Sequence, residues 1–175
     1  MHHGHDRLRQ GQQLSARRHR RSERGQGLLE FALVFPVIVF LVVAFIEMGR
    51  AVYSYTTIAN AARQGARVAA VNQLTTFAEC DESRPIEDPA NAHWTITGCT
   101  IASATSLGLV PADVSISYAA PPGTTLSCSP VIHVGCIASV TVTYEYAPST
   151  PLVSGVMPTI TMTSTSQMPI ERVFP

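Results

Sequence analysis

The chain has 175 residues, one domain's worth, with only 14% charged residues and no lysine. Its net charge of zero hides a split: residues 1–25 carry seven arginines (7, 9, 17, 18, 20, 21 and 24) against Asp6 and Glu23, and the remainder carries five arginines against ten acids, so the two parts stand at +5 and −5. Such a division predicts two different environments. The basic head has no interleaved aromatic residues and abuts an apolar run, which argues against nucleic acid. The positive-inside rule instead keeps the head cytoplasmic and sends the rest across.

Leu28–Ile46 is a run of nineteen residues interrupted only by Glu30. About twenty residues span a bilayer as a helix. A cleaved secretory signal has a shorter apolar core and a small-x-small site, and neither is present. Pro36 lies inside the run, where a membrane helix tolerates it as a kink. Beyond the run, residues 47–71 contain no proline and are rich in alanine. Ile58, Ala62, Ala66 and Ala69 recur at helical spacing, as do Tyr55, Ala59 and Ala66 more loosely. A helix from Leu28 to Val71 is roughly 66 Å long at 1.5 Å per residue. Its outer half is expected to pack against the chain's own C-terminal domain.

Three groups of residues in this stretch carry a resemblance: Glu30-Phe31-Ala32-Leu33 with nearby Pro36, Glu47-Met48-Gly49-Arg50, and Ala61-Ala62-Arg63-Gln64-Gly65-Ala66-Arg67. Together they resemble the TadE-like family, the minor pilins or pseudopilins of tight-adherence (Flp-type) pilus systems. The tail TPLVSGVMPTITMTSTSQMPIER resembles the family more loosely. The resemblance implies a dedicated prepilin peptidase that cuts after a glycine, with glutamate at the fifth mature position and an aromatic residue at the sixth. A cut between Gly25 and Gln26 makes Glu30 fifth and Phe31 sixth, whereas a cut after Gly27 makes Glu30 third. The basic leader 1–25 is then removed and the apolar helix 26–71 stays. A lone carboxylate in low dielectric is costly unless paired or protonated. The new α-amino group of Gln26 on a neighbouring subunit is a suitable partner for Glu30; a glutamate that merely snorkels to the interface is the alternative.

Residues 72–175 form the expected extracytoplasmic domain. DESRPIEDPANAH reads as an exposed acidic loop, with weak calcium binding as its minor alternative. IASATSLGLVP reads as a short helix stopped by Gly108 and Pro111. Three segments then alternate with period two. Val114, Ile116 and Tyr118 oppose Ser115 and Ser117. Val140, Val142, Tyr144 and Tyr146 oppose Ser139, Thr141, Thr143 and Glu145. Ile160, Met162 and Met168 share a face. The expected fold is α+β: a small antiparallel sheet packed on the outer half of the long helix, the pilin-like lollipop that the resemblance also implies. Trp94 reads as a core or interface filler.

The four cysteines, Cys80, Cys99, Cys128 and Cys136, all follow the apolar run, as an exported disulfide framework requires. Three connectivities are open. Short loop closure favours Cys80–Cys99 and Cys128–Cys136. Zinc held by Cys128, His133 and Cys136, with His93 as a fourth ligand, is the sharper alternative, but the spacing fits no established zinc pattern. His2, His3 and His5 are expected to leave with the leader. No G-x-S-x-G, HExxH, P-loop or G-x-G-x-x-G is present, so neither an enzyme nor a cofactor nor a small-molecule substrate is expected. The resulting expectation is a single-pass protein of the cytoplasmic membrane that assembles in a Tad-type pilus or related secretion apparatus. Its partners are a prepilin peptidase, other Tad/Flp pilins and assembly proteins, and membrane lipid. The alternative is a permanently anchored protein whose outer domain binds a partner and never polymerises.

Overall fold

A computed structural model describes residues 5–73, 80, 94–155 and 157–173, with the backbone alone for residues 5–24 and 152. The acidic loop from Asp81 to Asp88, together with His93, His2 and His3, lies outside the described residues. Two compact units divide the chain, Met1–Ile46 and Glu47–Pro175.

The helix α1 runs from His5 to Val71. It therefore starts well before Leu28, where the apolar pattern alone puts its beginning. Residues 5–24 are mostly arginine, glutamine and other tolerant helix formers, with no proline to stop them. Pro36 stays inside the helix, and its ring deprives the Ala32 carbonyl of a backbone donor. No residue from Gly25 to Ile46 is buried. Gly25–Val71 is long and apolar enough to cross a membrane.

The second unit has a three-stranded sheet. Its strands are β1 (Val114–Ala119), β2 (Ile137–Tyr146) and β3 (Ile160–Pro169), ordered β1-β2-β3 with both pairings antiparallel. The register sets Ile116 opposite Val140 and Ser117 opposite Ser139, so the alternation read along each strand is continuous across the sheet. Ala138, Val140 and Val142 of β2 are fully buried. On the other face the Thr141 and Thr165 hydroxyls meet at 2.8 Å, which suits a sheet with one open side.

The outer part of α1 covers the apolar face. Ala66, Val68 and Ala69 enter one cluster with Trp94, Ile96, Cys99, Ala138, Val140 and Ile170. Ile58, Ala61 and Ala62 enter a second with Ala104, Leu109 and Val142. The helical spacing of Ile58, Ala62, Ala66 and Ala69 thus marks the buried stripe, and all four are fully buried. Gly65 marks the closest approach. A Cβ there would collide with the Thr100 hydroxyl and stand 2.9 Å from Val140 Cγ1, so a helix interior accepts its least favourable ordinary residue.

The connection before β1 differs from the single short helix expected at residues 101–111. The helix α2 is Ile96–Ala102, followed by single 3₁₀ turns at Thr105–Leu107 and Pro111–Asp113. Thr95 caps α2 by accepting the Gly98 N–H at 3.0 Å. The Ser103 hydroxyl donates to the Cys99 carbonyl at 2.8 Å, a side-chain bond that competes with helix continuation. Gly108 takes φ 64°, and Asp113 holds the Val110 N–H at 2.8 Å.

The C-terminal end of α1 is also closed by tertiary contacts. The N–H groups of Glu171 and Arg172 donate to the Ala70 carbonyl at 2.9 and 3.2 Å, and the Gln73 amide donates to the Ala69 and Arg172 carbonyls. Those carbonyls would otherwise lack helical donors. Disulfides join Cys80 to Cys99 and Cys128 to Cys136, across sequence separations of 19 and 8. The last short helix, α3, is Pro151–Ser154.

Candidate functional site

Two places on α1 carry the chemistry that matters. The first is the stretch Gly25-Gln26-Gly27-Leu28-Leu29-Glu30-Phe31. All seven residues are helical and exposed, with Leu28 and Leu29 each 70% uncovered. Gln26 and Glu30 are four residues apart and so share one face of the helix. The Phe31 and Phe35 rings, also one turn apart, stack at 5.4 Å. No hydrogen bond or ion pair joins Glu30 to another described side chain.

The second place lies at the end of the apolar run, and only tertiary structure reveals it. Glu47 is 5% exposed. Its Oε2 accepts the Tyr146 hydroxyl at 2.5 Å. Its Oε1 accepts the Thr150 N–H at 3.1 Å, the Thr150 hydroxyl at 3.0 Å and the Ser149 hydroxyl at 3.2 Å. Arg50 Nη1, one turn along, stands 3.2 Å from Oε2 and also donates to Ser149. The Arg50 guanidinium lies 6.0 Å above the Tyr146 ring, within cation–π range.

These donors set the charge state. The Tyr146 hydrogen bond above all, aided by Thr150 and Ser149 and opposed by desolvation, brings the Glu47 carboxyl down to about 2. The Tyr146 hydroxyl is pushed up by burial first and by the adjoining carboxylate second. A carboxylate so firmly ionised and so fully supplied with donors takes up no proton near neutrality. It has no proton to give as a general acid there, and its low pKa makes it a weak base. Its work is to clasp the segment that leaves β2 onto the first turn of the second unit.

Sequence reasoning missed this clasp. The signal available was an acid directly after a long apolar run with an arginine three residues later. That pattern gives a helix-surface pair, while Tyr146, Ser149 and Thr150 lie about a hundred positions away. Zinc at Cys128 and Cys136 is overturned in the structure, because both sulfurs are spent in one disulfide. Among the described residues no group of three His, Cys, Asp or Glu side chains gathers for a metal. Trp94 is buried in the core, as expected of a filler.

Comparison with known families bears on the first place. Residues 25–67 match the model of the family described as TadE-like protein. That segment, about a quarter of the chain, is similar to TadE-like proteins. The match begins at Gly25, passes through the whole apolar run and the Glu47 clasp, and ends at Arg67 on the buried half of α1. The TadE-like match does not reach the tail from Thr150 onward. No curated protein and no solved structure matches the chain significantly.

Proposed function

We propose that this protein is a pilin-like subunit of a Tad-type pilus or a related secretion apparatus, cut by a prepilin peptidase between Gly25 and Gln26. The observation that carries the reading is the TadE-like match, which starts at Gly25 and runs through an apolar helix left uncovered along its length. Gly25 and Gln26 stand exposed on the surface of α1. Residues 1–25 are the cytoplasmic leader. Residues 28–46 anchor the subunit in the cytoplasmic membrane before assembly and pack in a helical bundle after it, with Pro36 as a kink. Residues 72–175 lie outside the cytoplasm, where the disulfides persist.

Cutting also gives Glu30 a physical role. The new helix would begin at Gln26, with unpaired N–H donors and the positive end of the helix dipole in its first turn. A carboxylate one turn along is favoured by that field. Its partner in this reading is the Gln26 amine of a neighbouring subunit. A neutral residue offers neither interaction.

The test is the mature N-terminus. The full chain is co-expressed with its prepilin peptidase and analysed by mass spectrometry. The expected product starts at Gln26, and Gly25→Ala prevents the cut. Glu30→Ala is expected to leave the cut largely intact and to reduce incorporation into filaments at least tenfold. A chain that keeps Met1 overturns the pilin reading and favours a permanently anchored binding protein.

A further inference from the structure

The helix α1 runs from His5 through the apolar run without a break, so the helical rise sets how far each arginine of the basic head stands from that run. Arg17, Arg20, Arg21 and Arg24 are spaced i, i+3, i+4 and i+7 and therefore occupy one face of the helix. Their surroundings in sequence are almost free of opposing charge. Glu23 is the single acid between Asp6 and Glu30.

Depth decides what this stripe meets. The apolar run begins at Leu28. Arg24 lies about 6 Å before it, Arg21 and Arg20 about 10–12 Å, and Arg17 about 16 Å, at 1.5 Å per residue. The headgroup layer on each side of a bilayer is about 5–8 Å thick, and the field of a charged surface decays over about 8 Å at physiological salt. Three of the four arginines fall within that combined depth, and Arg17 stands at its limit. Arg9 and Arg7, about 28 and 32 Å from the run, do not. The anions found at that depth are lipid phosphates, which suit the fixed fork of a guanidinium. A basic cluster directly beside a spanning helix selects anionic lipid, with each near-surface charge worth roughly fivefold in partitioning.

We infer that Arg17, Arg20, Arg21 and Arg24 hold anionic phospholipid headgroups beside the apolar run, and that the cut after Gly25 releases the chain from them. The first half needs only a membrane-spanning helix. The second rests on the processing proposed above. Residues 1–25 carry a net charge of +5, and residues 26–46 hold one charged side chain, Glu30. Cutting leaves that carboxylate and the new Gln26 amine at the same leaflet, with no basic stripe.

The test uses the full, uncut chain in phosphatidylcholine vesicles with phosphatidylglycerol as a minor component of both leaflets, so that orientation does not enter the readout. The chain has no lysine, and an amine-reactive donor therefore labels its α-amino group alone. Energy transfer to acyl-labelled phosphatidylglycerol, divided by transfer to acyl-labelled phosphatidylcholine at the same mole fraction, reports local enrichment. Enrichment of about threefold or more is expected at low salt, falling towards none as salt rises. Arg17→Gln, Arg20→Gln, Arg21→Gln and Arg24→Gln together are expected to remove it, and the same four changed to Lys to retain most of it. Arg7→Gln with Arg9→Gln is expected to leave it unchanged, and a chain beginning at Gln26 to show none. Flotation of each variant with the vesicles shows that it is inserted. Absence of enrichment in the wild type, its survival in the fourfold Gln variant, or its loss in the Arg7/Arg9 variant overturns the inference. So does its loss to inorganic phosphate at matched ionic strength, which indicates a site for a soluble anion. Enrichment that persists in the chain beginning at Gln26 overturns the release. If enrichment fails while the peptidase still produces Gln26, the lipid contact falls and the processing reading stands. If the chain enriches phosphatidylglycerol but keeps Met1 in the presence of the peptidase, the lipid contact stands and the processing reading falls with the release.

Discussion

Residues 28–46 and 47–71 are successive stretches of one helix, and their side chains obey opposite rules. In the first, large apolar residues stand uncovered: Phe45 is 70% exposed and Ile46 57%. In the second, the buried stripe is built mainly from small residues, with Ala61, Ala62, Ala66 and Ala69 fully buried. Water does not favour a long uncovered apolar surface, so the first stretch is shaped for lipid or for other helices. The second is shaped for backbone approach to a sheet, which small side chains permit. One helix can therefore serve two surroundings because its residue sizes change at Glu47.

That contrast makes substitutions in the two stretches behave differently. The largest effect is expected at Ile58, which is fully buried between α1 and the sheet. Ile58→Ala should destabilise the outer unit by about 2–5 kcal/mol. Ile38→Ala, in the uncovered run, should leave that unit's unfolding unchanged. Denaturant titration followed through Trp94 fluorescence measures both, and equal losses would break the contrast.

Glycine gives a sharper version. Gly65→Ala forces a methyl against Thr100 and Val140 and should cost about 1–3 kcal/mol. Gly49→Ala meets nothing within 4 Å and should raise stability by about 0.5–1 kcal/mol through helix propensity. Opposite shifts in melting temperature are the expected outcome. Shifts of the same sign would mean that the close approach at Gly65 is not maintained in solution.

The smallest effect is expected at the boundary and depends on pH. Glu47 is held at about 2 against an ordinary 4.5. A depressed carboxyl contributes stability that is fully present above its ordinary value and is lost as pH falls from about 4.5 through about 2. Wild-type protein should therefore lose more melting temperature between pH 6 and pH 2.5 than Glu47→Gln does. Parallel profiles would show that Tyr146, Ser149 and Thr150 do not hold the carboxylate.

Much of the fold is legible because its signals are local. The alternation Val114-Ile116-Tyr118 marks one side of β1, and Val140-Val142 marks the buried side of β2. Ile58-Ala62-Ala66-Ala69 marks the buried stripe of α1. The short helix α2 lies earlier in the chain than the stop signals at Gly108 and Pro111 suggest. Its true cap, Thr95, precedes a small-residue stretch with weak periodicity, and a serine bonding back to Cys99 ends it. At the candidate site, Gly25 and Glu30 are visible because their spacing is a sequence property. The clasp at Glu47 depends on groups that approach only after folding.

The sequence by itself determined that a long apolar helix follows a basic head and leads into a small, disulfide-bearing, alternating β domain. Those features follow from residue type and period, which need no partner to be read. Only the tertiary structure decided that Glu47 is a buried, ionised clasp and that Gly65 is the point of closest approach. Each depends on distances between residues far apart in the chain, and such distances are set by packing rather than by local propensity.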